Sequence, residues 1–215
     1  EDLLGTLWNN PGETAGDLID NDLNGYIDDK HGYDVADFDA NTNPPANTPP
    51  GGAWSHGTHC AGIVTADTDN GKGIASIGFD LRFIAVKASL NATGGNTLER
   101  AYEGVDYAIS AGAKVISMSW GSKGQSATGN ALLSLAQNQG IVLIAAAGNN
   151  GDDIPFYPAA FPQTIAVGST NSTDQKSGFS NYGSYIDVMA PGSAIYSTLG
   201  DTTNSYGNQS GTSMA

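Results

Sequence analysis

Residues 114–147 read KVISMSWGSKGQSATGNALLSLAQNQGIVLIAAA, and this stretch decides the fold. KVISMS at 114–119 and IVLIAAA at 141–147 are short apolar runs of strand length, and TGNALLSLAQN at 128–138 between them fits a helix. Strands separated by helices, several of them apolar on both faces, are the pattern of a parallel sheet covered by helices. Ligands are then expected at the carboxyl ends of the strands. Working upstream, FIAVKA at 83–88 reads as a strand and HGTHCAGIVTA at 56–66 as a compact buried helix. Between these strands Asn96 is positioned to cap a helix with Glu99 at its third position, and Leu98, Ala101, Val105, Ala108 and Ile109 form its apolar stripe before Gly112 ends it. Downstream, QTIAVG at 163–168 and a short run around 185–188 complete the strands. The expected class is α/β, a three-layer arrangement with a mostly parallel central sheet and helices on both faces. There is no internal repeat.

The chain has 215 residues, enough for one sizeable core. Eleven of its 22 acidic residues lie in positions 1–39, where Lys30 is the sole Lys or Arg. The net charge of -14 repels nucleic acid and anionic membrane surfaces, so neither is an expected partner. No apolar run reaches the roughly 18 residues of a membrane span, and the one Cys excludes an intrachain disulfide. NTNPPANTPPGGAWS at 41–55 carries four Pro and two Gly, and reads as a loop between the acidic segment 1–40 and the α/β core 56–215.

Three motifs carry chemistry. In DNDLNGYIDD at 20–29, oxygen-bearing side chains alternate around a Gly. Asp20, Asp22, Asn24, the Tyr26 carbonyl and Asp28 or Asp29 are what a hard cation such as calcium would take, although His31 stands where an EF-hand loop has its Glu. An acidic surface turn is the other reading. In HGTHCAG at 56–62, neutral imidazole at His56 can accept a proton from a hydroxyl. The same residue could be a structural hydrogen-bonding group or a metal ligand. In GTSMA at 211–215, Ser213 among small residues can expose its hydroxyl, and it could equally be a helix cap.

Taken together, SHGTHCAG at 55–62, VISMSWG at 115–121, IAAAGNN at 144–150, FYPAAFP at 156–162, TIAVGST at 164–170, FSNYG at 179–183, DVMAPG at 187–192 and GTSMA at 211–215 resemble the subtilisin-like serine peptidases, the subtilases. They stand in family order across nearly the whole chain. The resemblance implies a subtilisin-like fold and a serine endopeptidase, with His56 as general base, Ser213 as nucleophile and Asn149 as side-chain donor of the oxyanion hole. It implies that Ser119, Trp120 and Gly121, with Ala146, Ala147 and Gly148, line the pocket for the substrate side chain before the scissile bond (P1) and pair with extended polypeptides. By the Tyr157-Pro158 match, a dipeptide that is cis in the family, Phe156 falls at or near the pocket base. No acidic side chain stands in these walls, so small to medium apolar P1 residues are expected over Lys or Arg. Cys60 beside the histidine motif resembles the thiol-containing, proteinase-K-like branch, with His59 turned into the core and the thiol buried and inert. Structural calcium, secretion, a propeptide in the precursor and a monomeric state are further implications.

One family element is not in the string. The Asp that orients the base in subtilases ends a first strand in a string such as VIDTG, which does not occur here. EDLLGTLWNNPGE at 1–13 resembles the segment that follows that strand in members with an acidic insertion, so the Asp is expected upstream of Glu1. The helix that follows GTSMA in the family is expected beyond Ala215. The chain then reads as a catalytic domain cut at both ends and inactive by itself, with Asp187 serving structure. Two rivals remain at this point. A calcium-binding surface module retaining the scaffold is one; the other is an α/β esterase, which would want Gly-x-Ser-x-Gly and a His after the Ser.

Overall fold

The computed structural model describes residues 2–46, 48, 51–200 and 204–215. Positions 47, 49 and 50 of the expected Pro/Gly-rich loop lie outside the described residues. The elements are β1 (Gly32–Asp34), α1 (His56–Thr65), β2 (Ala85–Lys87), α2 (Ala101–Ser110), β3 (Val115–Met118), α3 (Ala127–Asn138), β4 (Val142–Ala146), β5 (Ile165–Thr170), β6 (Val188–Pro191), β7 (Ile195–Thr198) and β8 (Tyr206–Gln209). This is the expected mixed α/β class. None of the described helices is long and apolar enough to cross a membrane. The chain forms two compact units, residues 1–113 with 198–206 and residues 114–197 with 207–215.

The second unit begins with the strand–helix–strand stretch at 114–147. Its sheet has the order β3-β4-β5-β6, every pair parallel. The α3 crossover starts at Ser126, whose hydroxyl accepts the Gly129 N–H at 3.0 Å, satisfying one of the donors a helix start leaves open. Leu133 and Ala136 of α3 are buried, as are Ile116, Met118, Leu143, Ala145 and Ala166 of the sheet. Burial is one-sided at the strand starts. Val115, Val142, Ile165 and Val188 are exposed, although the apolar pattern of the strands suits cover on both faces.

In the first unit β1 and β2 pair in parallel, with Asp34 opposite Lys87. Side chains opposite each other share a face, so the Lys87 ammonium reaches the fully buried Asp34 carboxylate, and it also reaches Asp37 at 3.0 Å. A buried carboxylate is tolerable because a cation meets it. Tyr26, Tyr33 and Tyr107 pack as a cluster, Tyr26 standing edge-on to the other two at ring-centre distances of 5.0 and 4.7 Å. Helix α2 begins at Ala101, five residues after the expected Asn96 cap. The reason is a competing use of Glu99, whose carboxylate accepts from Leu90 N–H and the Thr93 hydroxyl. It is not available to close a capping box.

Candidate active site

Asn149 follows β4 through Gly148, which has φ +106° and whose position would bring a Cβ to 2.4 Å from Asn181 Nδ2. Only glycine fits this turn without displacement. The carbonyl of Gly148 accepts from Asn181 N–H at 2.9 Å, and Asn181 Oδ1 accepts from Asn150 N–H at 2.8 Å, so buried Asn181 braces the GNN turn from two sides. Asn149 itself is held by its oxygen. Oδ1 accepts the Thr212 N–H at 2.8 Å and the Thr212 hydroxyl at 3.0 Å. A backbone N–H can only donate, which assigns this end of the amide as the oxygen. The donor end is then Nδ2, and a Cβ on Gly211 would stand 3.4 Å from it.

No sequence signal marks Thr212, yet it is the clamp: 2% exposed, its hydroxyl also accepts Gly148 N–H at 3.1 Å. The next residue, Ser213, is half-buried in a turn rather than a helix. Its hydroxyl donates to the Ser119 carbonyl at 3.2 Å, and the Ser119 hydroxyl donates to the Ser213 carbonyl at 3.0 Å. The second unit thus brings Asn149, Ser119 and Ser213 together where β3 and β4 end.

The expected pocket walls divide in character. The Ala147 N–H donates to Val167 O, and its carbonyl accepts from the Tyr185 hydroxyl, both at 2.9 Å. Gly148 is equally committed, so the backbone polar groups at 147 and 148 are used within the protein. Phe156 lies against both walls. A Cβ on Gly121 would stand 2.5 Å from Phe156 Cε1, and one on Gly148 would stand 2.9 Å from Phe156 Cγ. The Tyr157-Pro158 bond is cis, and Asp187 uses its carboxylate to accept Ala166 N–H at 2.8 Å.

His56 is the first residue of α1, in the first unit. The turn before it is anchored by the fully buried Ser55, whose hydroxyl accepts Gly200 N–H at 3.2 Å. Loss of hydration, with a lesser contribution from like charge at His59, lowers the pKa of His56 below its ordinary value. Neutral imidazole is the form a general base requires. His59 is fully buried, as expected, whereas Cys60 is half-buried rather than sealed in the core.

The acidic segment is organised differently from its alternating pattern. Asp20 accepts from the backbone of Asn24 and Gly25, and Asp28 from Gly16, Asp17 and Leu18, so both carboxylates hold loop turns. The Asn24 oxygen accepts Tyr26 N–H at 2.8 Å. Asp22 and Asp29 instead meet Glu13, which lies outside the 20–29 motif; carboxylate oxygens of the three lie within 4.8 Å of one another. Burial raises the pKa of Asp29 despite hydrogen bonds from Tyr107, Asn10 and Asn24. Burial and then the bond to Asp29 push the Tyr107 phenol up, keeping it a donor.

The second unit is thus a parallel α/β sheet domain in which a serine-bearing turn is braced against a strand-end asparagine. Comparison gives the family: the subtilase profile matches residues 13–215, and the chain belongs to the subtilase family. It is 45% identical over 184 residues to thermitase of Thermoactinomyces vulgaris, covering 86% of this chain and 62% of that protein. It is 40% identical over 203 residues to the thermophilic serine proteinase of a Bacillus species, covering 94% of this chain and 47% of that one. A solved structure of the protease domain of PatA superposes with a TM-score of 0.68 at 28% identity, covering 80% of this chain and 63% of that domain. The chain therefore spans roughly half to two thirds of the length of these relatives. The second of these relatives is described as a serine proteinase and the third as a protease domain.

Proposed function

We propose that this chain carries the nucleophile, base and oxyanion donor of a secreted, calcium-stabilised serine endopeptidase acting on extended polypeptides. The observation that carries the reading is the clamped Asn149 amide beside Ser213. Ser213 Oγ attacks the scissile carbonyl and gives its proton to His56. Negative charge then grows on the carbonyl oxygen, where Asn149 Nδ2 and the Ser213 N–H donate. The C–N bond breaks as the imidazolium returns the proton to the leaving amine, and water hydrolyses the acyl-enzyme by the same route. Because Asn149 is oriented before substrate arrives, little reorganisation is required when the charge develops. Secretion, a propeptide in the precursor and a monomeric state accompany this reading by family resemblance, and structural calcium is supported by the acidic segment.

The test uses the longest natural chain that contains these residues. Ser213→Ala should abolish casein hydrolysis and covalent labelling by a fluorophosphonate. Asn149→Leu should retain labelling at a reduced rate and lower kcat by about 10²–10³ with little change in KM, the loss found when such a donor is removed from a subtilisin. Unchanged labelling in Ser213→Ala would end this assignment.

A further inference from the structure

The strongest feature outside the catalytic elements is the group Glu13, Asp22 and Asp29. Two of the three carboxylates are nearly excluded from water, Glu13 at 3% and Asp29 at 0% exposure. Anions packed together out of water are unfavourable unless a cation or hydrogen-bond donors compensate them. Asp34 shows how this chain meets that need elsewhere, with the Lys87 ammonium. Here the ammonium nearest in the chain, Lys30, is spent on the carbonyls of Asn10 and Glu13, both at 2.7 Å. Among the described residues no ion pair reaches Glu13, Asp22 or Asp29.

The donors that do reach them are neutral and incomplete. Asn10 Nδ2 bridges Asp22 at 3.0 Å and Asp29 at 2.8 Å, and Asn24 Nδ2 bridges the same pair at 3.3 and 3.1 Å. Tyr107 adds a bond to Asp29 at 2.9 Å. Glu13 Oε1 accepts Asn21 and Asp22 N–H, but Glu13 Oε2 is buried with no hydrogen-bond partner. A buried carboxylate oxygen with nothing to accept is a costly orphan in a native structure. The frame around it is built for close approach: a Cβ on Gly12 would stand 2.6 Å from Asp22 Cβ.

We propose that Glu13, Asp22 and Asp29 bind one calcium ion, with Glu13 Oε2 as a ligand, and that Asp20 and Asp28 shape the loops without being ligands. This rests on, and locates, the calcium reading of the acidic segment. Three carboxylates held by loops supply the oxygen-only, flexible donor set that calcium takes, whereas magnesium demands a stricter octahedron and keeps its water.

The experiment is calorimetric titration of the full chain with calcium chloride, after chelator treatment, with magnesium chloride in parallel. The parent should bind calcium in preference to magnesium. Glu13→Gln keeps shape and removes the charge, and it should eliminate one equivalent or weaken it by about tenfold or more. Asp22→Asn alters the exposed member of the group, so folding is not at stake, and it should have the same effect. Asp20→Asn should leave the same equivalent within about threefold of the parent. Equal stoichiometry and affinity in Glu13→Gln, Asp22→Asn and parent would overturn the location while leaving calcium binding intact. A parent that takes up no calcium would overturn both. Neither outcome depends on peptidase activity.

Discussion

In the proposed site, Phe156 is the side chain expected to set what P1 can be. Its ring stands against Gly121 and Gly148, glycines of the two segments expected to wall the P1 pocket. A ring at the base of the proposed pocket would shorten the space for a substrate side chain. Ala, Leu or Met at P1 should exceed Lys or Arg by about tenfold or more in kcat/KM, since no acidic partner stands in the walls for a buried cation. Phe156→Gly should move the preference toward Phe and Tyr; a positional-scanning peptide library on both forms of the longest natural chain measures this. A parent that already prefers Phe or Tyr would show that the ring does not close the pocket. His56 gives a second expectation. Its native pKa lies below the ordinary 6.5 because burial disfavours the charged ring. The unfolded chain therefore binds more protons below about pH 6.5, and stability present above that value is lost as pH falls through the lower native pKa. An NMR titration of His56 should show a midpoint below 6.5, and His56→Gln should remove this part of the acid destabilisation measured in urea. A midpoint at or above 6.5 would contradict it.

Among the elements, α3 is the one whose local and tertiary requirements agree most fully. Ser126 caps it, and Leu133 and Ala136 bury completely. Ser126→Ala should cost about 1 kcal/mol in urea unfolding with an unchanged denaturant slope. No change in the midpoint would mean the cap contributes nothing. Helix α2 shows the opposite case. A capping sequence was present at Asn96 and Glu99, but the Glu99 carboxylate bonds the 90–93 loop instead, and the helix starts at Ala101. Local propensity is worth about a kilocalorie at a cap, so two loop hydrogen bonds to the same carboxylate suffice to override it.

At the scale of the whole molecule, the sequence by itself determined the fold class and the family. The strand–helix–strand stretch at 114–147 specified parallel α/β structure, because apolar runs of strand length separated by a helix can bury themselves in few other ways. The strings around His56, Asn149 and Ser213 identified the family, since each combines small residues and one polar group at fixed spacing, and the order of the strings is itself specific. Tertiary structure alone decided which distant groups meet. Thr212 becomes the clamp on Asn149 across 63 residues, and Tyr107 reaches Asp29 across 78. The acidic segment is the sharpest instance. Its alternation pointed to Asp20, Asp22, Asn24, the Tyr26 carbonyl and Asp28 or Asp29; backbone N–H groups of the neighbouring turns bond Asp20 and Asp28, while chain closure sets Glu13, from outside the motif, beside Asp22 and Asp29. Alternation reports only that oxygens are close in sequence. Which oxygen is left without a donor depends on every backbone group that folding brings within reach, and that competition is settled in three dimensions.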